Sequence, residues 1–446
     1  MKIATVIPLH KSGDKTDPSN YRPVSLTSII SKSLEKIIKA SIETHIINNN
    51  ILSDFQHGFR RNYSTSTNLV EFTNDLANIA NQSKAISIIY TDLRKAFDSV
   101  PHDLLILKLR RYGITGRTER WLKSFLESRQ QRVCVGEELS CARQVLSGVP
   151  QGGVLSGLLF ALYVNDLPSQ MSHAKISLYA DDAKLYSEIT SDDCIEYLQS
   201  DINRMVKWCQ DWRLAINPEK CYHVQYNPKS MKKSFDPTYL IENNTIVRKS
   251  KVRDLGILIS DDLKYHAQVE SAVRRAHCEI NRIRRSFVSR SPKFIGDMYK
   301  LYVRPHMEYC VEVWNPQMQG DINIMERVQN KMTRLIPNGR NLSHCQRNKL
   351  IGVTSHQTRR LRGDLINIYK KINDEKLFIL RNNQRTRGHN KTLVMPIVNN
   401  NIKLHSFSVR SINMWNSLPN DIVNSRNLNS FKNYLDSYLE HSQNIA

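Results

Sequence analysis

Carboxylates at two places define the chemistry this sequence could do. Asp181 and Asp182 are adjacent in Tyr179-Ala180-Asp181-Asp182, and the surrounding Ile176–Tyr186 segment predicts a strand, a tight acidic turn and a second strand. Neighbouring carboxylates repel, and a divalent cation is the simplest group to offset that cost. Asp-Asp pairs also occur in ordinary turns, so this pair alone decides little. A second acidic site is Asp92. It follows Ala85-Ile86-Ser87-Ile88-Ile89-Tyr90, a short apolar run that predicts a buried strand, and precedes Leu93-Arg94-Lys95-Ala96-Phe97-Asp98, which leads into a helix. A carboxylate at the carboxyl end of a strand is where Mg²⁺ can be held. Nucleotidyl transfer uses two Mg²⁺ roughly 3.5–4 Å apart, one acidifying the attacking 3′-hydroxyl and the other carrying the triphosphate and departing pyrophosphate. Mg²⁺ keeps several waters and needs few protein carboxylates, so Asp92, Asp181 and Asp182 would suffice if the fold brought them together.

Between the acidic sites lies Ser147-Gly148-Val149-Pro150-Gln151-Gly152-Gly153-Val154-Leu155-Ser156. Glycines let a backbone approach a ligand, Pro150 stiffens the turn, and Gln151 offers both a donor and an acceptor. The segment reads equally well as a plain loop before a helix over 158–164. The charge balance adds a partner: 64 Lys and Arg against 42 Asp and Glu give +22, a surplus that suits a polyanion, nucleic acid first. Residues 274–362 hold 18 Lys and Arg against 6 Asp and Glu, with Arg282, Arg284 and Arg285 inside one helical turn. Such a run favours a phosphate-tracking surface over a solvated helix face, where both signs usually mix. No apolar run approaches the ~20 residues of a membrane-spanning helix, so no membrane partner is expected. The eight cysteines include no CxxC pair, which excludes a disulfide framework and a zinc site. That applies also to His344-Cys345 and Cys221-Tyr222-His223.

The elements that must position these groups follow from periodicity. Residues 1–8 predict a strand that stops at Pro8, not a signal peptide. A polar loop punctuated by Gly and Pro is expected from Lys11 to Pro23. Apolar spacing predicts helices over 33–47, over 104–112 ending at Gly113, and over 192–212. Beyond Lys264, helical periods succeed one another with few strand signals. No internal repeat is present.

In order, Asp92-x4-Phe97-Asp98, Ser147-Gly148-Val149-Pro150-Gln151-Gly152 and Tyr179-Ala180-Asp181-Asp182 resemble motifs A, B and C of reverse transcriptases. Asn20-Tyr21-Arg22-Pro23-Val24-Ser25-Leu26 and Gln56-His57-Gly58-Phe59-Arg60 are similar to the finger motifs of non-LTR retrotransposon enzymes, the jockey-like branch in particular. The match runs from about Ile7 to Ile259, with a looser likeness beyond. It implies an α+β right-hand polymerase fold: fingers and palm over 1–263, a helical thumb over 264–340, and a mainly helical basic C-terminal region over 341–446. It implies RNA-directed DNA polymerase activity on an RNA template, with a DNA primer or target DNA, dNTPs and two Mg²⁺ ions (Mn²⁺ as a substitute). Asp92, Asp181 and Asp182 match metal-binding aspartates, with the Leu93 carbonyl as a further ligand. Phe97 matches the bulky residue under the incoming sugar, which would exclude a 2′-hydroxyl. Gln151 and Gly152 match nucleotide-positioning residues, Lys11 and Arg22 the basic finger residues on the triphosphate, and Lys220 a lysine that protonates pyrophosphate. Leu255-Gly256-Ile257 resembles the primer-grip turn, and Arg282, Arg284 and Arg285 would hold template or primer.

Departures set a competing expectation. Gly153 and Gly157 stand where this branch usually has Ser and Pro, which would loosen the loop. Nothing precedes the first finger motif, so the usual upstream endonuclease is expected to be absent, and no set of four spaced carboxylates suggests an RNase H. The alternative is therefore a catalytically impaired nucleic-acid-binding remnant. Free cysteines fit a reducing intracellular compartment, and a DNA target implies cytoplasm and nucleus, without a clean nuclear-import cluster.

Overall fold

The computed structural model describes residues 2–11, 13–231, 234–381 and 388–443. The chain divides into two compact units: Met1–Asn68, Ile86–Gln225 and Phe235–Lys249 in the first, and Leu69–Ala85, Tyr226–Ser234 and Ser250–Ala446 in the second.

The first unit is organised by the strand Ala85–Thr91, whose seven residues are all buried. β-Branched and small residues on both faces suit a strand covered on both sides. It lies third in a five-stranded sheet of order Val247–Arg248, Tyr222–Tyr226, Ala85–Thr91, Asp182–Ile189, Lys175–Tyr179. Helices His102–Arg111, Ser156–Tyr163 and Asp192–Asp211 supply most of the apolar core around it, including Leu105, Leu109, Leu159, Leu198, Ile202 and Trp208. Their ends follow the usual signals. Asp192 and Asp193 occupy the first turn of one helix. Lys108, Arg110 and Arg111 occupy the last turn of another, before Gly113 at φ +78°.

A second sheet in this unit pairs Ile3–His10 antiparallel with Tyr21–Leu26 and parallel with Gln130–Val135. Here the sequence reading is corrected. The first strand runs through Pro8 to His10, and Tyr21–Leu26 is a strand where the expected loop reached Pro23. Pro8 faces Pro23 directly. Two residues without N–H groups lose nothing when they oppose each other at a position that exchanges no hydrogen bonds.

The long C-terminal part of the second unit opens with the hairpin Lys251–Asp254 and Ile257–Ser260. Helices follow from His266–Ser286 to Leu428–Gln443, as the periodicity beyond Lys264 predicts. Trp314, Trp415, Tyr299 and Phe431 are fully buried in its core. Among the described residues, no helix is long and apolar enough to cross a membrane.

Candidate active site

The acidic turn is a two-residue loop, because Tyr179 pairs with Asp182 across the hairpin. Ala180 takes a positive φ of +58°, a conformation that hairpins usually give to glycine and that costs a non-glycine residue about 1–2 kcal/mol. Gln56 holds it there. Its fully buried side chain accepts from the Ala180 N–H at 3.0 Å and the Gly58 N–H at 2.7 Å, and donates to the Ala180 carbonyl at 3.4 Å. Backbone bonds from His57 to the Leu178 carbonyl and from Leu178 to the Phe55 carbonyl extend the clamp. Gly58 is required for the approach: a Cβ there would lie 2.3 Å from the Ala180 nitrogen.

Asp92 continues directly from the central strand. Thr91 Oγ1 donates to the Ala183 carbonyl at 3.0 Å, which sets the end of one strand against the start of its neighbour. The segment 215–217 straps the residue from the other side. Asn217 N–H donates to the Asp92 carbonyl and Arg94 N–H to the Ala215 carbonyl, around a bridge between Leu93 and Ile216. That pattern leaves the Leu93 carbonyl out of the strap. It also carries Lys220 to the site, with Nζ 3.9 Å from Asp92 Oδ2.

Asp181 is half-buried, and its carboxyl is raised above the ordinary range, first by burial and then by the charge of Asp92; Arg22 and Lys11 act against the rise. Arg22 faces Leu9 across the finger strands. Alternation therefore puts Arg22 and Lys11 on one face, both exposed. Asp182 opens the return strand and is exposed. Among the described residues, no three His, Cys, Asp or Glu side chains stand as one metal-binding group; the association in this structure is between Asp92 and Asp181. Two like-charged, half-buried carboxylates with hard oxygen donors form a donor set that suits Mg²⁺.

The glycine-rich loop is stitched to the segment after Asp92. Gly148 N–H donates to the Val100 carbonyl, Val149 N–H to the Phe97 carbonyl, and Ser147 Oγ to the Asp98 carbonyl. At φ +88°, a Cβ on Gly148 would meet the Asp98 backbone at 2.7 Å. Gln151 Nε2 donates to both Asp98 oxygens at 3.1 Å. Burial raises the Asp98 carboxyl, while the Gln151 bond opposes that rise. On the finger side, Ser25 N–H donates to the Gln151 carbonyl at 2.7 Å, and a Cβ on Gly152 (φ +109°) would strike the Ser25 carbonyl at 2.8 Å.

The looseness expected from Gly153 and Gly157 is absent. A Cβ on Gly153 would meet Ser156 Oγ at 2.6 Å, and one on Gly157 would lie 2.2 Å from the Phe59 ring. Phe59 meets Phe97 edge-on, and Phe97 stacks on Phe160 with centroids 4.5 Å apart. Phe97 is thus part of the packing beneath the site. The loop is further fixed by fully buried Glu35, which accepts from the N–H groups of Val154 at 2.7 Å and Leu155 at 3.2 Å.

Gln56, Glu35 and Asp98 are the residues that sequence reasoning passed over as holders of the site. Glu35 had a signal: it shares the helical spacing of Ile38, Ile42 and Ile46 on Ile29–Asn48, an acid on an apolar face. Gln56 and Asp98 were quoted inside motifs, but nothing local said what they hold.

The remaining expected residues lie in the second unit. Leu255 (φ +44°) and Gly256 (φ +91°) form the two-residue turn of the hairpin, with both positions in the left-handed region as a type I′ loop needs. Tyr309 Oη donates to the Leu255 carbonyl at 2.9 Å. Arg282, Arg284 and Arg285 are exposed at the last turns of His266–Ser286, where positive charge also complements the helix dipole. Arg282 pairs with Glu279 at 3.2 Å.

A sheet carrying paired carboxylates at the same end of adjacent strands, with a basic finger hairpin and a glycine-rich loop beside them, defines the palm and fingers of a template-directed polymerase. The chain belongs to the reverse transcriptase (RNA-dependent DNA polymerase) family, whose model matches residues 9–259, more than half of the sequence. It is 29% identical over 353 residues to the probable RNA-directed DNA polymerase from transposon BS of Drosophila melanogaster, covering 75% of this chain and 38% of that protein. It is 26% identical over 348 residues to the RNA-directed DNA polymerase from mobile element jockey of the same organism, covering 75% of this chain and 37% of that one. The chain therefore spans under two fifths of the length of these relatives. Apo telomerase from Candida tropicalis aligns over 81% of this chain and 61% of that one, at 12% identity and a TM-score of 0.47.

Proposed function

We propose that this chain copies retrotransposon RNA into DNA, transferring nucleotidyl groups from dNTPs to a primer 3′-hydroxyl. The observation that carries the reading is the placement of Asp92 and Asp181 at one end of neighbouring strands, within reach of each other's charge and of Lys11 and Arg22. Asp92 and Asp181 would hold divalent metal, two Mg²⁺ or Mn²⁺ in their place, with Asp182 and the Leu93 carbonyl completing the set. Bound metal supplies acidification of the primer hydroxyl and neutralisation of phosphate charge. Lys11 and Arg22 bind the triphosphate and stabilise charge that develops on it. Lys220, beside Asp92, is placed to give a proton to the departing pyrophosphate. Phe97 lies under the sugar and excludes a 2′-hydroxyl, while Gln151 and Gly152 position the nucleotide.

In this reading residues 1–263 are fingers and palm, 264–340 a thumb and 341–446 a basic C-terminal region. The Gly256 turn and Arg282, Arg284 and Arg285 hold primer and template. RNA template, DNA primer or target DNA and dNTPs are the partners, and the work is done in cytoplasm and nucleus. The packing around Gly153 and Gly157 removes the loose loop that motivated an inert remnant.

The test is Mg²⁺-dependent dNTP incorporation by purified protein on a primed RNA template, beside an Asp181→Ala variant. The expected result is extension by the unmodified chain and none by the variant, with circular dichroism unchanged. Equal extension by both, or none by either, overturns the reading.

A further inference from the structure

A cavity of about 530 Å³ lies within the second unit, and none of the residues placed at the candidate active site lines it. That volume is in the range of small-molecule sites. Its walls come from four stretches of the chain: 70–77 on the helix Thr65–Asn81, 263–269, 313–321 and 401–407. Val70, Leu76, Ala77, Val269, Val313 and Phe407 are buried side chains on these walls. One carboxylate interrupts the apolar lining. Asp321 faces the same cavity and is only 8% exposed, and acids buried this far are ordinarily paired.

The pairing of Asp321 is incomplete. Its Oδ1 accepts from His266 Nδ1 at 2.6 Å. That imidazole is shared, because Nε2 lies 3.4 Å from Glu270 Oε1. Both contacts need the imidazolium, and the value of His266 is raised, first by the Asp321 hydrogen bond. One cation therefore serves two anions, and a negative charge is left over. Asp321 Oδ2 has no partner among the described residues, while a carboxylate offers about four acceptor positions. The other ionisable groups of the lining do not cancel the charge. Lys264 is exposed on the rim, where water and salt screen it. His405 is lowered by burial and then by Arg410, which keeps it neutral.

We propose that this cavity binds an organic ammonium: an amine cation that donates to Asp321 Oδ2 and lays an apolar or aromatic body against Val269, Val313 and Phe407. Hydrogen bonds between ionised groups are the strong ones, and the apolar walls add burial. Nothing in this site depends on the polymerase reading.

The experiment titrates the full chain by calorimetry with 1-naphthylmethylammonium, 1-naphthylmethanol and 1-naphthoate, which share a ring system and differ in charge. Net charge works against the expectation: at +22, unspecific attraction favours the naphthoate. The expected result is saturable binding of the ammonium, at least about tenfold tighter than the alcohol, with the naphthoate weakest. Asp321→Asn keeps an acceptor for His266 and removes the charge. It should weaken the ammonium about tenfold and leave the alcohol unchanged. Equal affinity for ammonium and alcohol, a tighter naphthoate, or no saturable binding overturns the proposal on the unmodified chain alone. An ammonium affinity unmoved by Asp321→Asn overturns it as well.

Discussion

Replacing Gln56 by Leu should disarm the acidic turn from outside the reacting groups. The side chain is fully buried and serves two backbone N–H donors, those of Gly58 and Ala180. Leucine fills a similar volume but accepts nothing. Each buried donor left unmet costs about 1–3 kcal/mol, so the loss is about 2–6 kcal/mol, part of it offset by leucine's apolar burial. Ala180 adds a second term. Its positive φ costs about 1–2 kcal/mol and persists because Gln56 grips both its N–H and its carbonyl. Once released, the turn can relax into a conformation that suits alanine, and Asp181 moves with it. Displacing a reacting group by about 1 Å lowers the rate on the order of 100-fold. The assay is single-nucleotide incorporation, with kcat and KM separated, beside urea unfolding of the same preparations. The expected result is a kcat at least 100-fold lower and a lower urea midpoint. Ala180→Gly in the otherwise unmodified chain should add about 1 kcal/mol of stability, since glycine removes the strain while the Gln56 clamp stays in place. A Gln56→Leu protein that loses stability as estimated yet keeps kcat within threefold would refute the claim that Gln56 sets the turn.

Three further outcomes follow from the packing and the charges. Gly157→Ala, which in an unconstrained helix would stabilise by about 1 kcal/mol, should here destabilise by about 1–3 kcal/mol because its Cβ collides with the Phe59 ring; thermal unfolding reads the sign. Reversing Arg282, Arg284 and Arg285 to Glu should weaken binding of primed RNA regardless of sequence and lower the slope of log affinity against log salt by about 2–3; an unchanged slope in a gel-shift titration would clear these residues of phosphate contact. His356 is buried against the Tyr299 hydroxyl at 2.9 Å, and its value is pushed down from 6.5 to about 3, first by burial and then by Arg360 and Arg359. The folded state therefore keeps it neutral, protonation favours the unfolded chain, and stability that is full above about pH 6.5 drains as pH falls toward 3. From pH 7 to 5 the loss is about 2 kcal/mol, and His356→Gln should show a correspondingly flatter dependence of the urea midpoint on pH.

Much of the site was legible because its parts sit at strand ends. The all-apolar run before Asp92 announced a central strand, and the alternating flanks of Asp181 announced a hairpin. A carboxylate at the end of one strand and the start of the next has only to have those strands adjacent for the two to meet. Helix bounds followed equally well from caps: Asp192 and Gly113 mark ends within a residue or two of those observed. The failures share one cause. Pro8 and Pro23 read as breakers because each removes a donor, and only their pairing across a sheet makes that harmless. Gly153 and Gly157 read as loose because a missing side chain has no local partner, and the atoms that take its place come from Phe59 and Ser156.

The same cause accounts for the supporting residues. Gln56, Glu35 and Asp98 each satisfy backbone or side-chain groups on a segment more than 50 positions away. Each acts on a different part of the site: the acidic turn, the start of the helix after the loop, and the Gln151 amide. A sequence read by periodicity sees only short-range order, so it picks out acidic and basic candidates and misses the groups that hold them. For a polymerase this division matters, because carboxylates that repel each other cannot hold their own geometry. The repulsion between Asp92 and Asp181 must be borne by rigid neighbours. Asp92 is held through its backbone by residues 215–217 and Asp181 through Ala180 by Gln56. The two anchors are independent, so relaxing either one should let the carboxylates separate while the other stays in place.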